Sequence, residues 1–149
     1  IADALPALTQ RFDVIHITGK NKKGAAARAG YTGLEFCDDM PGLYASVDMA
    51  VTRGGANALA ELVALKIPAL VVPLERASRG DQVQNAEYYK NLGAVRTLRE
   101  KDLTKDALIS EINATYLERD ALTAAMSRLR VDGLNKICEM IRRELDPRS

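Results

Sequence analysis

The fold of this chain is decided in residues 48–61, where a strand, a glycine turn and a helix follow one another. The stretch reads Asp48-Met49-Ala50-Val51-Thr52-Arg53-Gly54-Gly55-Ala56-Asn57-Ala58-Leu59-Ala60-Glu61. The apolar run before Arg53 is typical of a buried strand, and the alanine-rich run after Gly55 favours a helix. A strand that passes through two glycines into a helix predicts a strand–helix–strand unit.

The same alternation of short apolar runs and helical patterns extends on both sides of this stretch. The predicted strands are Asp13–Thr18, Leu34–Cys37, Asp48–Thr52, Pro68–Pro73 and Ala94–Leu98. The predicted helices between them are Pro41–Ser46, Ala56–Lys66 and Asp81–Leu92. Near-continuous apolar strands separated by helices indicate a parallel sheet covered on both faces, which is a Rossmann-like α/β fold.

From Thr104 onward the pattern predicts helices only. They are Lys105–Leu117, Asp120–Leu129 and Asp132–Leu145, with Thr104 as the N-cap of the first. We expect residues 1–149 to form a single domain in which residues 104–145 are the helical C-terminal part.

The composition excludes several classes of protein. The 149 residues include 21 basic and 20 acidic side chains, so the net charge is +1, and only 5% of residues are aromatic. This balance argues against a nucleic-acid-binding protein. Cys37 and Cys138 lie outside any CxxC or histidine-rich context, so structural zinc is not expected. No apolar run approaches the ~20 residues that a membrane-spanning helix needs.

The glycine turn at Gly54-Gly55 is a candidate anion site. Glycines let a backbone approach a ligand closely, and the first turn of a helix presents free N–H groups at the positive end of its dipole. This geometry suits a diphosphate, and Glu61, on the same helix face as Asn57, could accept hydrogen bonds from both hydroxyls of a ribose. The alternative is an ordinary glycine-rich turn followed by a solvent-exposed Glu61, because one glycine pair before a helix is a weak motif.

A second polar stretch follows the predicted strand Pro68–Pro73, at the carboxyl edge of the sheet, where open α/β folds bind ligands. Its side chains that could hydrogen-bond a sugar are Arg79, Asp81, Gln82, Gln84 and Asn85. The alternative is a surface loop that leads into a helix, with Asp81 as the N-cap.

Two further sets of polar residues are better interpreted structurally. His16 is the only histidine and lies inside an apolar strand, which favours a structural residue over a base or a ligand. Glu35, Asp38 and Asp39 do not form a carboxylate cage, and Asp38-Asp39 is typical of a helix start.

Five motifs along the chain occur together in one order. They are His16-Ile17-Thr18-Gly19-Lys20, Phe36-Cys37-Asp38-Asp39-Met40, Arg53-Gly54-Gly55-Ala56 with Glu61, Pro68 to Pro73, and Asp81-Gln82 with Asn85-Ala86. In this order and spacing the chain resembles the C-terminal half of the MurG family of peptidoglycan N-acetylglucosaminyltransferases. The resemblance covers nearly the whole chain, and the stretch Ser78–Gln82 is similar to the Firmicutes-type version.

The resemblance implies the UDP-GlcNAc-binding half of a two-domain GT-B glycosyltransferase. It implies that the backbone at Cys37 meets the uracil with Met40 close by, and that Glu61 takes the ribose hydroxyls. Gly55, Ala56, Asn57 and Ala58 would hold the diphosphate, Asp81 and Gln82 would contact the GlcNAc, and Arg53, Gly54 and Asn85 complete the implied donor-binding set. Ala58 stands where the family often has Thr, and Asp81 stands where Gln is common.

The resemblance also implies a reaction and a location. The family makes lipid II by inverting transfer of GlcNAc to lipid I, undecaprenyl-pyrophosphoryl-MurNAc-pentapeptide, at the cytoplasmic face of the bacterial plasma membrane. The catalytic base and most acceptor and membrane contacts would belong to an N-terminal domain. We therefore expect no catalytic residue in this sequence and no transfer by it alone. No cofactor or metal is expected, and no DxD motif occurs.

Other functions are also compatible with these residues. The chain could be the donor domain of a GT-B enzyme that glycosylates diacylglycerol, because the acceptor is chosen by the other half. It could also be a stand-alone nucleotide-sugar-binding subunit that needs a partner chain, or a Rossmann-like domain with a purely structural role. Titration with UDP and UDP-GlcNAc separates the last possibility from the others.

Overall fold

A computed structural model describes residues 1–22, 24–75 and 80–129 of the chain. The strands are β1 (Val14–Ile17), β2 (Tyr31–Leu34), β3 (Ala50–Thr52), β4 (Ala69–Val71) and β5 (Arg96–Thr97). The α-helices are α1 (Leu5–Leu8), α2 (Met40–Ala45), α3 (Ala56–Ala64), α4 (Asp81–Asn91), α5 (Lys105–Leu117) and α6 (Arg119–Arg128), with 3-10 turns at Ala2–Ala4 and Glu100–Asp102. The predicted α/β class and the change to helices after β5 are confirmed.

Helices cover both faces of the strands, as the alternation of side chains along β4 shows. Ala69 and Val71 pack with α3, α4 and α6, whereas Leu70 and Val72 pack with α1 and α5. Successive side chains of a strand point to opposite faces, so these two groups of helices lie on opposite sides. All four residues are buried, which explains why the β4 sequence is continuously apolar.

The five strands form two parallel sheets rather than the single sheet predicted. One sheet has the order β1-β2 and the other has the order β3-β4-β5. All three strand pairings are parallel. The edges of β1 and β3 that face each other are not hydrogen-bonded to any described strand.

The second strand lies earlier in the chain than predicted. The sequence indicated Leu34–Cys37, but β2 begins at Tyr31, directly after Gly30 in the left-handed conformation (φ 73°). The amide of Val14 donates to the carbonyl of Gly30 at 2.8 Å, which sets the register of the β1–β2 pair. Asp39 caps α2, so residues 35–39 leave the sheet.

The helices match their predictions more closely. α5 has the predicted bounds, and the Thr104 hydroxyl accepts from the Ala107 amide at 3.1 Å, which confirms Thr104 as its N-cap. α3 ends before Lys66, which adopts a left-handed conformation (φ 60°). The predicted helix Asp132–Leu145 lies outside the described residues. None of the described helices has the length and apolar character needed to cross a membrane.

Candidate functional site

The first turn of α3 presents three backbone amides that donate to no described residue. Gly55 is the N-cap and has no side chain, and its carbonyl accepts the first helical hydrogen bond from the Leu59 amide at 3.0 Å. The amides of Ala56, Asn57 and Ala58 therefore have no acceptor among the described residues. Together with the positive end of the helix dipole, they form a surface that favours an anion.

The two glycines of the turn have different roles. A Cβ added to Gly54 would collide with the backbone carbonyl of Gln82, so this glycine is required by the close packing of α4. A Cβ added to Gly55 would meet nothing within 4 Å. Only Gly55 therefore leaves open space beside the free amides, which refines the prediction that both glycines admit a ligand.

The first two turns of α4 hold the glycine turn in place. The Asn85 side-chain amide donates to the Gly54 carbonyl at 3.0 Å, and the Gln82 side-chain oxygen accepts from the Leu74 amide at 3.0 Å. Asp81 is exposed beside them at the start of the helix. These three predicted sugar-contacting residues thus lie next to the glycine turn, and Gln82 and Asn85 also make bonds within the chain.

The structure contradicts one of the two interpretations of Asp81, namely that it is the N-cap of α4. Gly80 is the N-cap and has a φ of 89°, in the left-handed region that favours glycine. The interpretation of Asp81 as the N-cap is therefore wrong, because Asp81 is the first residue within the helix. Gln84 is exposed on the same helix, and Arg79 lies outside the described residues.

Arg53 faces an acidic network rather than open solvent alone. Its guanidinium donates to the Val72 carbonyl at 3.2 Å and lies 3.6 Å from the Glu100 carboxylate. Arg99 donates to Glu75 at 2.6 Å in the same network and holds the pKa of Glu75 below its ordinary value. These partners could not be predicted from the sequence, because they are far apart along the chain and carry no local signal.

Glu61 has a hydrogen-bond partner on another helix. The Tyr44 hydroxyl on α2 donates to the Glu61 carboxylate at 3.0 Å. Burial, followed by the hydrogen bond to Glu61 and its charge, raises the pKa of Tyr44 above its ordinary value, so the hydroxyl stays a donor at neutral pH. Tyr44 thereby holds an exposed carboxylate in place on the α2 side of α3.

The predicted base-binding residues lie at the start of that same short helix. Cys37 has a half-buried free thiol two residues before the N-cap Asp39, whose carboxylate accepts from the Gly42 amide at 2.9 Å. Met40 is the first residue of α2, half-buried and one helical turn before Tyr44. No local sequence pattern marks Tyr44 as the partner of Glu61, because the two residues lie on different helices.

His16 lies in β1 and has a structural partner. Its Nδ1 atom is 3.2 Å from the Tyr31 hydroxyl, which also accepts from the Ala25 amide at 3.1 Å. Burial is the main cause that lowers the pKa of His16. This environment fits the structural interpretation. Within the described part of the chain, no three His, Cys, Asp or Glu side chains are grouped so that they could hold a metal ion.

Comparison with protein families gives one match along most of the chain. The family described as the glycosyltransferase family 28 C-terminal domain matches residues 1–141.

Three similar curated proteins share one name. The UDP-N-acetylglucosamine–N-acetylmuramyl-(pentapeptide) pyrophosphoryl-undecaprenol N-acetylglucosamine transferase of Shouchella clausii is 40% identical over 131 residues, which are 85% of this chain and 37% of that protein. Its namesake in Staphylococcus aureus (strain JH9) is 41% identical over 80% of this chain and 34% of that protein. The namesake in Lachnospira eligens is 35% identical over 95% of this chain and 42% of that protein. The chain thus spans less than half the length of these relatives.

Solved structures share the fold. The crystal structure of Acinetobacter baumannii MurG superposes with a TM-score of 0.77 at 22% identity, over 96% of this chain and 44% of that one. The glycotransferase of kitacinnamycin superposes with a TM-score of 0.75 at 20% identity, over 95% of this chain and 37% of that one.

Proposed function

This chain belongs to the glycosyltransferase family 28 C-terminal domain family, and from that premise we propose that it binds UDP-GlcNAc for a MurG-type transferase. The observation that carries the proposal is the start of α3. There, three amides without a described partner and the open side of Gly55 lie one turn before the carboxylate of Glu61. The relatives' names, which specify transfer of N-acetylglucosamine, support the choice of sugar.

The diphosphate lies at the first turn of α3. Its charge is complementary to the amides of Ala56, Asn57 and Ala58 and to the helix dipole. Ala58 offers no hydroxyl to a phosphate, so its backbone amide is the contact there. The open space at Gly55 lets phosphate oxygens approach these amides closely.

The nucleoside extends from the diphosphate toward α2. Glu61 follows Ala58 by three residues, a rise of about 4.5 Å along the helix, which brings its carboxylate to the level of a ribose attached to the phosphate. Tyr44 donates to that carboxylate from α2, and on this proposal the uracil lies beside Cys37 and Met40, near the start of the same helix.

The GlcNAc extends in the other direction, toward α4. The first turn of α4 touches Gly54, so groups on that turn are adjacent to the proposed phosphate position. Asp81 presents an exposed carboxylate that can accept from sugar hydroxyls. Gln82 still has its side-chain NH₂ as a donor, although its oxygen accepts from Leu74. Asn85 donates to the Gly54 carbonyl and Arg53 pairs with Glu100, so we assign both residues to positioning the glycine turn and not to contacts with the sugar.

The chemistry that this half supplies is stabilisation of the leaving group. Cleavage of the GlcNAc–phosphate bond leaves negative charge on the UDP, and fixed amides aimed at that charge need no reorganisation during the reaction. On this proposal the transfer uses no metal and no cofactor.

The acceptor is lipid I, and it is bound mainly by the N-terminal part of the full-length protein. That part also supplies the catalytic base and most of the contact with the cytoplasmic face of the membrane. The diacylglycerol-type acceptor and the stand-alone subunit are less favoured, because the relatives' names specify a pyrophosphoryl-undecaprenol acceptor and those proteins are longer than this chain.

The test measures UDP release by the full-length protein with UDP-GlcNAc and either a lipid I analogue or diacylglycerol. We expect release with the lipid I analogue, none with diacylglycerol, and an unchanged rate in EDTA. UDP release with diacylglycerol but not with the lipid I analogue would contradict the proposed acceptor. Loss of activity in EDTA that Mg²⁺ restores would contradict the metal-free mechanism. Gly55→Ala should lower the rate, whereas Ala114→Gly on α5, away from the site, should not.

A further inference from the structure

A short segment directly after β4 carries the chain out of the sheet. It consists of residues 72–75 and is named the β4 exit. Its Val72 carbonyl accepts from the Arg53 guanidinium at 3.2 Å. Its Leu74 amide donates to the side-chain oxygen of Gln82 at 3.0 Å. The β4 exit therefore links the residue that precedes the glycine turn to the first turn of α4.

Two neighbouring residues after β5 contact the end of the β4 exit. Arg99 donates to the Glu75 carboxylate at 2.6 Å, and the Glu100 carboxylate accepts from the Glu75 amide at 3.4 Å. The backbone just before them is anchored to β4, because the Leu98 amide donates to the Val71 carbonyl at 2.9 Å. The end of the β4 exit is thus held from the β5 side of the sheet.

Glu100 joins the β5 side to the strand that leads into the glycine turn. Its Oε2 atom accepts from the Glu75 amide, and its Oε1 atom lies 3.6 Å from the guanidinium of Arg53, directly before Gly54. An ionised carboxylate accepts through both oxygens, so it can hold both donors at once. Glu100 therefore fixes the β4 exit relative to the end of β3.

The charged side chains of this network are all partly exposed. Arg53 and Glu100 are 49% and 34% exposed, and Arg99 and Glu75 are 38% and 25% exposed. Ion pairs at such exposure contribute little to the stability of a fold, because solvent screens them. The network therefore does more to fix the geometry of the β4 exit than to stabilise the chain against unfolding.

Gln82 is the residue at which the β4 exit meets the proposed position of the sugar. Because its side-chain oxygen accepts from the Leu74 amide, its NH₂ group has a fixed direction before a ligand arrives. The amides at the start of α3 are positioned differently, by the helix itself and by the bond from Asn85 to the Gly54 carbonyl. A shift of the β4 exit should therefore affect the sugar end of the donor more than its diphosphate.

We propose that Glu100 is a positioning residue for the sugar end of the donor site. It holds the β4 exit, the β4 exit holds the side chain of Gln82, and Gln82 donates to the GlcNAc. The inference rests on the proposed function, because it needs UDP-GlcNAc at the glycine turn, and it adds a residue that acts without touching the donor. Loss of the Glu100 carboxylate also removes a negative charge beside Arg53, so binding of the UDP anion itself should not weaken.

Calorimetric titration of the full-length protein with UDP and with UDP-GlcNAc tests the proposal. Glu100→Ala removes both contacts of the carboxylate, so it should lower the affinity for UDP-GlcNAc by about 3- to 10-fold relative to the affinity for UDP. Glu100→Gln keeps one acceptor oxygen and should fall between Glu100→Ala and the parent. Glu118→Ala, which removes a carboxylate paired with Arg96 at the end of α5, is the matched control and should leave the ratio of the two affinities unchanged. Each variant should melt within about 2 °C of the parent.

A double-mutant cycle with Gln82 tests the route by which Glu100 acts. In a Gln82→Ala background, Glu100→Ala should have no further effect on the ratio of the two affinities, because the side chain through which it acts is gone. Additive effects of the two substitutions on that ratio would show that Glu100 acts by another route and would overturn the proposal.

The outcomes separate this inference from the proposed function. An equal loss of both affinities in Glu100→Ala is what a merely structural role predicts, and it would overturn the positioning role while the donor assignment stands. The absence of any change in the ratio would do the same. If the parent protein binds neither UDP nor UDP-GlcNAc, the proposed function is wrong and the inference falls with it.

Discussion

Glu61 is the residue at which the nucleotide assignment is most open to test. Its spacing from the glycine turn was evident from the sequence, but the Tyr44 hydroxyl that holds it was not, because the two lie on different helices. A carboxylate that is positioned before the ligand arrives loses less side-chain entropy on binding. The position of Glu61 relative to the glycine turn is thus encoded within one helix, whereas its hydrogen bond to Tyr44 depends on how two helices pack.

Removal of the Glu61 carboxylate should weaken binding of UDP. Two charge-assisted hydrogen bonds to the ribose are lost, so Glu61→Ala should lower UDP affinity by about 10- to 100-fold. The variant should also lose discrimination between UDP and 2′-deoxy-UDP. Calorimetric titration measures both effects. Glu87→Ala, which removes a surface carboxylate of α4 near Lys90, is the matched control. Unchanged affinity at unchanged stability would refute the ribose assignment.

Removal of the Tyr44 hydroxyl should have a smaller effect of the same kind. Tyr44→Phe deletes one hydrogen bond to Glu61, so we expect UDP affinity to fall by about 3- to 10-fold. Because the pKa of Tyr44 is raised above its ordinary value, its hydroxyl is protonated throughout the neutral range, and the hydrogen bond is lost only as the pH rises through that raised pKa. The difference between parent and variant should therefore be constant from about pH 6 to 9. A difference that disappears within this range would contradict the role of the hydroxyl.

At the scale of elements, the two glycines before α3 give a matched pair. Gly54→Ala forces a Cβ against the carbonyl of Gln82 on α4, and should lower the free energy of unfolding by about 1–3 kcal/mol. Gly55→Ala adds a Cβ in open space at a φ of −66°, and should change that free energy by less than about 0.5 kcal/mol. The same Cβ occupies the proposed phosphate position, so UDP affinity should fall. Urea unfolding and UDP titration measure the two effects, and a reversed pattern would contradict the site.

Local patterns predicted the elements better than their pairing. Thr104 and the bounds of α5 followed from sequence, because a capping side chain and a helical period are encoded within a few residues. The start of β2 did not, since it is set by the register with β1. The bonds of Gln82 and Asn85 to Leu74 and Gly54 were also beyond reach, because they join segments from different parts of the chain.

At the scale of the whole molecule, the proposed assignment of donor binding to this chain and of catalysis to an N-terminal part gives a clear expectation. The 149-residue chain should bind UDP weakly, with preference over ADP, and should show no transfer from UDP-GlcNAc to a lipid I analogue. The described residues of the site supply groups for a donor, and the proposal assigns the base to the N-terminal part of the full-length protein. Calorimetry and an assay of UDP release check the two statements. Robust turnover by this chain, or equal affinity for ADP and UDP, would contradict the account.

The sequence could predict the α/β class and the order of its elements, but not the division of the strands into the two sheets β1-β2 and β3-β4-β5. A gap in a sheet depends on which strands are adjacent, and periodicity along one strand carries no information about its neighbours. Ile15, Ile17 and Val51 are 41%, 40% and 41% exposed, although the apolar sequences of their strands predicted burial. The prediction that residues 1–149 form a single domain remains a prediction.

The most direct test of the central claim is a nuclear magnetic resonance titration of the full-length protein, labelled with ¹⁵N-alanine, with UDP. Ala56 and Ala58 supply two of the three free amides at the start of α3, so their resonances should shift progressively as UDP binds. Ala114, on α5 away from the site, should not shift. If UDP binds while the resonances of Ala56 and Ala58 stay unchanged, the diphosphate lies elsewhere and the assigned site is wrong.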